Sequence, residues 1–197
     1  MTDKNKIAEI ERSKYERMWE LDSYRERSPG ERFFLRAWAD MHPEVYRDSL
    51  CDWGIGTGRA ATLFQKRGLR VEGVDIAHNA AREFDGKVWV GPMWAPPIPD
   101  DHKFTFGYCT DVMEHLPPEM VVESLKRIKK HTVVECWFSI ANFHDREGDR
   151  IGEKLHLCVR PADWWAASFA RVFPQFYFYS ENKHYIVRAF SENHHNA

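Results

Sequence analysis

The period of the apolar positions changes near residue 48, and that change organises the chain. Before it the spacing is helical. Ile7, Ile10, Tyr15, Met18 and Trp19 supply the apolar positions of a helix predicted over Lys4 to Leu21. Ser28-Pro29-Gly30-Glu31 then opens a second helix: Ser28 caps it, Pro29 suits its first turn, and Glu31 completes a capping box. Phe33, Phe34, Ala37, Trp38 and Met41 give that helix one apolar face, and His42-Pro43 ends it.

Beyond residue 48, short apolar runs alternate with helical stretches. Strands are predicted over Ser49–Trp53, Arg70–Val74 with Asp75 at the tip, Lys87–Val90, Phe104–Cys109 and Thr132–Phe138. Helices are predicted up to Arg67 before Gly68, over His78–Phe84 and over Pro118–Lys130. This alternation means a mostly parallel sheet with crossover helices on both faces. The polar stretch Ser139–Arg160 is long for a connection. Pro161 then opens a helix holding Trp164, Trp165 and Phe169, and Gln175–Tyr179 with Tyr185–Phe190 read as a hairpin. The expectation is one structural domain: a helical arm over 1–47 packed on or over a binding domain at 48–197.

Composition narrows the function. A chain of 197 residues, 43% hydrophobic with 8 Trp and 13 Phe, can bury one sizeable core. The formal net charge of -2 gives no global field towards nucleic acid. The basic cluster at Lys126, Arg127, Lys129 and Lys130 suits the negative end of a helix dipole. Cys51, Cys109, Cys136 and Cys158 form no C-x-x-C pair, so buried free thiols in a reducing compartment are expected. The first twenty or so residues lack a signal-peptide core, and no run approaches the roughly 18 apolar residues of a membrane span. A cytoplasmic protein without membrane contact is expected; oligomeric state stays open.

The densest chemical signal is Asp52-Trp53-Gly54-Ile55-Gly56-Thr57-Gly58, placed between a predicted strand and a helix. Glycines there let a ligand approach the backbone and the helix N-terminus. Asp75 ends the next strand about twenty residues later, where a carboxylate can accept ribose hydroxyls. Dinucleotide folds share this logic, but their last fingerprint glycine falls here on Arg59.

Leu50 to Gly58 resembles the first motif of class I S-adenosylmethionine (SAM)-dependent methyltransferases, and Val71-Glu72-Gly73-Val74-Asp75 resembles their second. Cys109-Thr110-Asp111-Val112-Met113-Glu114-His115-Leu116 is similar to the segment after strand four in the subgroup ending in Glu-His. Leu155-His156-Leu157 with Pro161, Trp164 and Trp165 is similar to small phage and bacterial methyltransferases. The resemblance implies a doubly wound, Rossmann-like seven-stranded sheet in the order 3-2-1-4-5-7-6. It implies that Asp52, Gly54, Gly56 and Gly58 hold the methionine part of SAM and Asp75 the ribose. Ile76 would face the adenine, with Pro92, Met93 and Trp94 on its other side and Thr110 and Asp111 near the reacting end. Pro92 stands where many relatives carry Asp, which removes one adenine contact. Trp19, Tyr24 and Arg25 of the arm would fold over the cofactor.

The implied reaction moves a methyl group to an oxygen or nitrogen of a small metabolite or glycan, leaving S-adenosylhomocysteine (SAH). Asp111, Glu114 and His115 share one helical face. The catalytic candidates are Asp111 with His115 or His156 as general base, and His144 beside Asp145 as a further base. No metal is expected. The alternative is a divalent ion on Asp111, Glu114, His115 and His156, as in ribose 2′-O-methyltransferases of small-RNA ends. A SAM-binding protein without turnover is the remaining alternative.

Overall fold

The computed structural model describes residues 3–26, 29–41 and 49–192. Its elements are α1 (Lys4–Trp19), α2 (Asp22–Arg25), α3 (Pro29–Met41), β1 (Ser49–Trp53), α4 (Arg59–Lys66), β2 (Arg70–Asp75) and β3 (Lys87–Val90). These are followed by β4 (Phe104–Thr110), α5 (Val121–His131), β5 (Thr132–Ala141), α6 (Ala162–Ala170), β6 (Gln175–Glu181) and β7 (His184–Phe190). The seven strands form one sheet in the order β3-β2-β1-β4-β5-β7-β6, as the resemblance implied. β1 to β5 pair in parallel, and β7 runs antiparallel to both β5 and β6.

Every residue of β1 and β4 is buried, as parallel strands covered on both faces must be. One cover is α3 with α4, whose Phe33, Phe34, Ala61 and Phe64 pack with Tyr108 and Trp137. The other is α5 with α6, where Leu125, Ile128, Trp165 and Phe169 pack with Phe138. Neighbouring Trp137 and Phe138 thus serve opposite faces, as the pleat requires. The four cysteines are buried and free. Among the described residues no helix is long and apolar enough to cross a membrane.

Three expectations change. The segment 78–84 is a series of turns, not a helix. Ala81 takes a φ of 47° and donates its N–H to the Gly56 carbonyl, and the Asn79 amide bonds the Glu16 carbonyl, so glycine loop and α1 hold this backbone. β5 runs on to Ala141 because β7 pairs with it to the end, Ala141 facing His184. In α1 the buried positions include Ala8, Met18 and Trp19, while Ile10 is exposed. Lys14 is buried too, neutralised by Glu11 and donating to the Lys154 carbonyl. The basic end of α5 falls in its last turn as expected, with Lys130 paired to Asp100 and Lys129 donating to the Val172 carbonyl. Ser28, His42-Pro43 and the 47/48 boundary lie outside the described residues.

Phe138 is fully buried against Phe169 and Phe173. Phe138→Ala should lower unfolding free energy by about 3–5 kcal/mol in urea denaturation, the cost of a large cavity.

Candidate active site

The order of strands reverses beside β1: β2 lies on one side and β4 on the other, which opens a crevice at their carboxyl ends. The glycine loop occupies it. The N–H groups of Gly54 and Ile55 both donate to the Val74 carbonyl, at 2.8 and 3.0 Å, tying the loop to β2. Gly54 adopts a φ of 81°, and a Cβ there would stand 2.3 Å from Val112. Glycine is therefore required twice over, by dihedral and by space.

Asp75 closes the same corner. Its Oδ2 accepts from the Gly56 N–H at 3.1 Å and its Oδ1 from the Ala77 N–H at 2.9 Å. Burial raises its pKa to about 6, and the backbone hydrogen bonds hold back a larger rise. Asp52 is pushed further, to about 8, first by burial and then by the neighbouring charge of Asp75.

Two connected chambers flank this corner. The smaller, of about 110 Å³, has apolar walls from Tyr15, Ile76, Met93 and Trp94, with the carboxyl groups of Glu11, Asp75 and Asp111 at its edge. The larger, of about 260 Å³, is lined by Asp52, Thr57, Thr110, Glu114, Phe143 and His156. Trp19, Tyr24, Gly54, Gly56, Asp111 and His115 border both. Gly58 sits one step behind, capping α4 with a φ of 78°. Pro92 lines neither chamber; its neighbours Gly91 and Met93 do. Arg25 lines a separate cavity of about 70 Å³ with Thr57, Arg59 and Arg82, behind the glycine loop.

Around the larger chamber the polar groups are held from several elements. Asp111 has a φ of 51°, and its carboxylate meets His184 Nε2 at 3.1 Å. Glu114 lies in a single 3-10 turn, Met113–His115, and is 0% exposed. Its Oε1 accepts from the Ala141 N–H, while its Oε2 has no partner. Burial, then the charge of Asp111, raises its pKa well above the carboxylate range. His115 Nδ1 lies 2.7 Å from the Tyr15 hydroxyl, and burial holds its pKa well down. His156 Nδ1 lies 2.6 Å from the Phe143 carbonyl and must donate to it, which leaves the lone pair on Nε2.

The predicted residues therefore divide. Glu114, His115 and His156 converge, with one ligand atom from each lying within 4.8 Å of the others. Asp111 stands outside that group, turned to His184. His144 is exposed and lines none of these cavities. Trp165 is core, and Trp164 is partly buried away from both chambers. Sequence reasoning missed His184, and it took Tyr15 only as an apolar helix position. Neither belongs to a motif, and only the folded sheet and α1 bring them in.

Residues 51–133 match a family described as a methyltransferase domain. No curated protein matches the sequence. Among solved structures, magnesium protoporphyrin IX methyltransferase from Synechocystis PCC 6803 with bound SAH is similar at 14% identity and a TM-score of 0.60, over 82% of this chain and 83% of that one. A protein from Pyrococcus horikoshii OT3 is similar at 16% identity and a TM-score of 0.61, over 83% of this chain and 92% of that one. Human N-acetylserotonin methyltransferase in complex with SAM is similar at 15% identity and a TM-score of 0.54, over 72% of this chain and 47% of that one. These likenesses establish a shared fold.

Raised carboxylate pKa values mean that the folded chain keeps protons the unfolded chain releases. Each such group costs stability as pH climbs from its unfolded to its folded pKa. Without ligand, the protein should lose stability between pH about 4 and 8, through Asp75 and Asp52 together up to about pH 6 and through Asp52 without Asp75 beyond it. Asp52→Asn should flatten the decline above about pH 6, measured as the urea midpoint against pH.

Proposed function

We propose that this chain, a class I SAM-dependent methyltransferase by fold and family match, methylates an oxygen or nitrogen of a small metabolite or glycan without a metal ion. One observation carries the reading: the Asp75 carboxylate, fixed by two backbone N–H groups, stands at the edge of a largely apolar chamber that shares Gly54, Gly56 and Asp111 with a larger polar one.

The residues fit the cofactor on physical grounds. Each Asp75 oxygen accepts one backbone bond and retains capacity for a ribose hydroxyl. Ile76, Met93 and Trp94 offer the apolar walls a purine needs. Asp52, buried at the start of the glycine loop, suits the ammonium of the methionine part. Bound there, SAM supplies an electrophilic methyl group on a sulfonium.

The chain's own work is to position the acceptor and exclude water. Trp19 and Tyr24 close over the join between the chambers. His156 is the better placed base, since its Nε2 lone pair is available in the chamber that would take the acceptor. His115 is poorly suited, with Nδ1 held at Tyr15 and burial opposing its charged form. Asp111, fixed by His184, orients the acceptor at the chamber border. The metal-assisted alternative has support in the converging Glu114, His115 and His156, but its fourth ligand, Asp111, is engaged elsewhere.

Asp75→Ala should weaken SAM binding at least about tenfold in calorimetry, the loss of one charge-assisted hydrogen-bonding group; an unchanged affinity would sink the ribose assignment. SAH release with a cognate acceptor should persist in excess chelator. Activity that vanished with chelator and returned with magnesium would favour the metal-assisted reading instead. His156→Ala should lower kcat by about a hundredfold or more while leaving SAM affinity intact, as loss of a general base does.

A further inference from the structure

We infer that the acceptor is an amine, taken up as its cation in the acidic half of the larger chamber. This rests on the methyl-transfer reading above and narrows it from oxygen or nitrogen to nitrogen.

Past the residues assigned to the cofactor, the chamber wall carries four carboxyl side chains: Asp111, Glu114, Asp145 and Glu147. Among the described residues lining it there is no lysine or arginine. Cations near the wall are already engaged, one of them with the wall itself. Arg150 pairs with Glu147 at 3.1 Å and also bonds Ser23, and Lys183 lies over the Phe143 ring, 5.9 Å from its centre. A phosphate or carboxylate entering this space would find no lysine or arginine among the described wall residues and would face the carboxyl groups of Asp111 and Asp145, an arrangement that disfavours an anion.

An independent feature points to what is accepted. Glu114 is wholly buried in the chamber wall, yet its Oε2 receives no hydrogen bond. Buried polar atoms are seldom left so, and the exceptions call for an explanation such as a ligand. His156 adds a second open acceptor, because its Nδ1 is used on the Phe143 carbonyl and Nε2 holds the lone pair. The two side chains offer ligand atoms within 4.8 Å of each other. An arriving cation offsets the burial that keeps Glu114 protonated, and once ionised its Oε2 joins His156 Nε2 as a second acceptor on the same wall, which calls for a group that brings several donors. An ammonium has three N–H bonds and no lone pair, a hydroxyl has a single donor, and a carboxylate has none. Phe143 adds an aromatic wall, which also favours a cation.

The chemistry closes. The ammonium passes one proton to His156 Nε2, which frees the nitrogen lone pair. That pair attacks the methyl carbon, the N–C bond forms as the C–S bond breaks, and the C–S electrons stay on sulfur to give SAH. The product leaves as an N-methylammonium, and His156 returns its proton to solvent. An RNA 3′ end, with its phosphates, fits this chamber poorly.

The test compares three probes of one shape: benzylamine, benzyl alcohol and benzoate. Each is titrated by calorimetry into the SAH-loaded protein, with chelator present so that no divalent ion stands in for the amine. Benzylamine should bind at least about tenfold more tightly than benzyl alcohol, and benzoate weakest, as one charge-assisted contact dictates. Glu114→Gln, checked for retained SAH binding, should shrink that preference several-fold. Equal affinities, a preference for benzoate or absence of benzylamine binding would overturn the proposal, and the wild-type ranking decides this without the variant. Failure of SAH itself to bind would count against the methyl-donor reading, so the two failures are distinguishable.

Discussion

The site depends on a single strapped corner: the amides of Gly54, Ile55 and Gly56 bonded to the Val74 carbonyl and the Asp75 carboxylate. Those bonds fix a loop that, with three glycines, would otherwise be costly to order. They also aim Asp75 across the crevice where strand order reverses. Remove the strap and both chambers lose their shared wall. The turns at 78–84 belong to the same device, since Ala81 spends its N–H on the Gly56 carbonyl. A helix there would have kept that N–H for itself and left the loop unsupported from below.

Holding two carboxylates in this corner works against the stability of the unliganded fold. Asp52 and Asp75 both resist ionisation because burial strips their water, and the charge of Asp75 adds to the rise at Asp52. A ligand carrying positive charge and hydroxyl donors relieves that strain.

The arm is part of the site and not an appendage. Tyr15 of α1 meets His115, Trp19 borders both chambers, and Glu16 and Glu20 hold Asn79 on the far side of the loop. The long connection after β5 is equally built in. The Cys158 N–H bonds the Glu114 carbonyl and His156 bonds the Phe143 carbonyl, so the segment bearing His156 is pinned against the turn bearing Glu114. Asp145 caps the Gly148 N–H and tightens the loop between them.

Much of the fold could be read from the chain, because strand period, glycine spacing and the helix-stop at Gly68 are local features. The seven-strand order and the use of Asp52, Gly54 and Asp75 at one edge follow from those features plus the family resemblance. Long-range packing decided the rest. The pairing of β7 drew Ala141 into β5 and set His184 against Asp111, two residues separated by most of the C-terminal half. Burial then turned Glu114 from a motif letter into an acid with an open oxygen, and hydrogen bonding assigned the free nitrogen of His156. Sequence alone determined where a nucleoside could approach the backbone, since that needs only glycines after a strand. Which charges line the larger chamber, and which of their atoms lack a partner, was decided by tertiary structure, because desolvation and pairing depend on neighbours that the chain order does not specify.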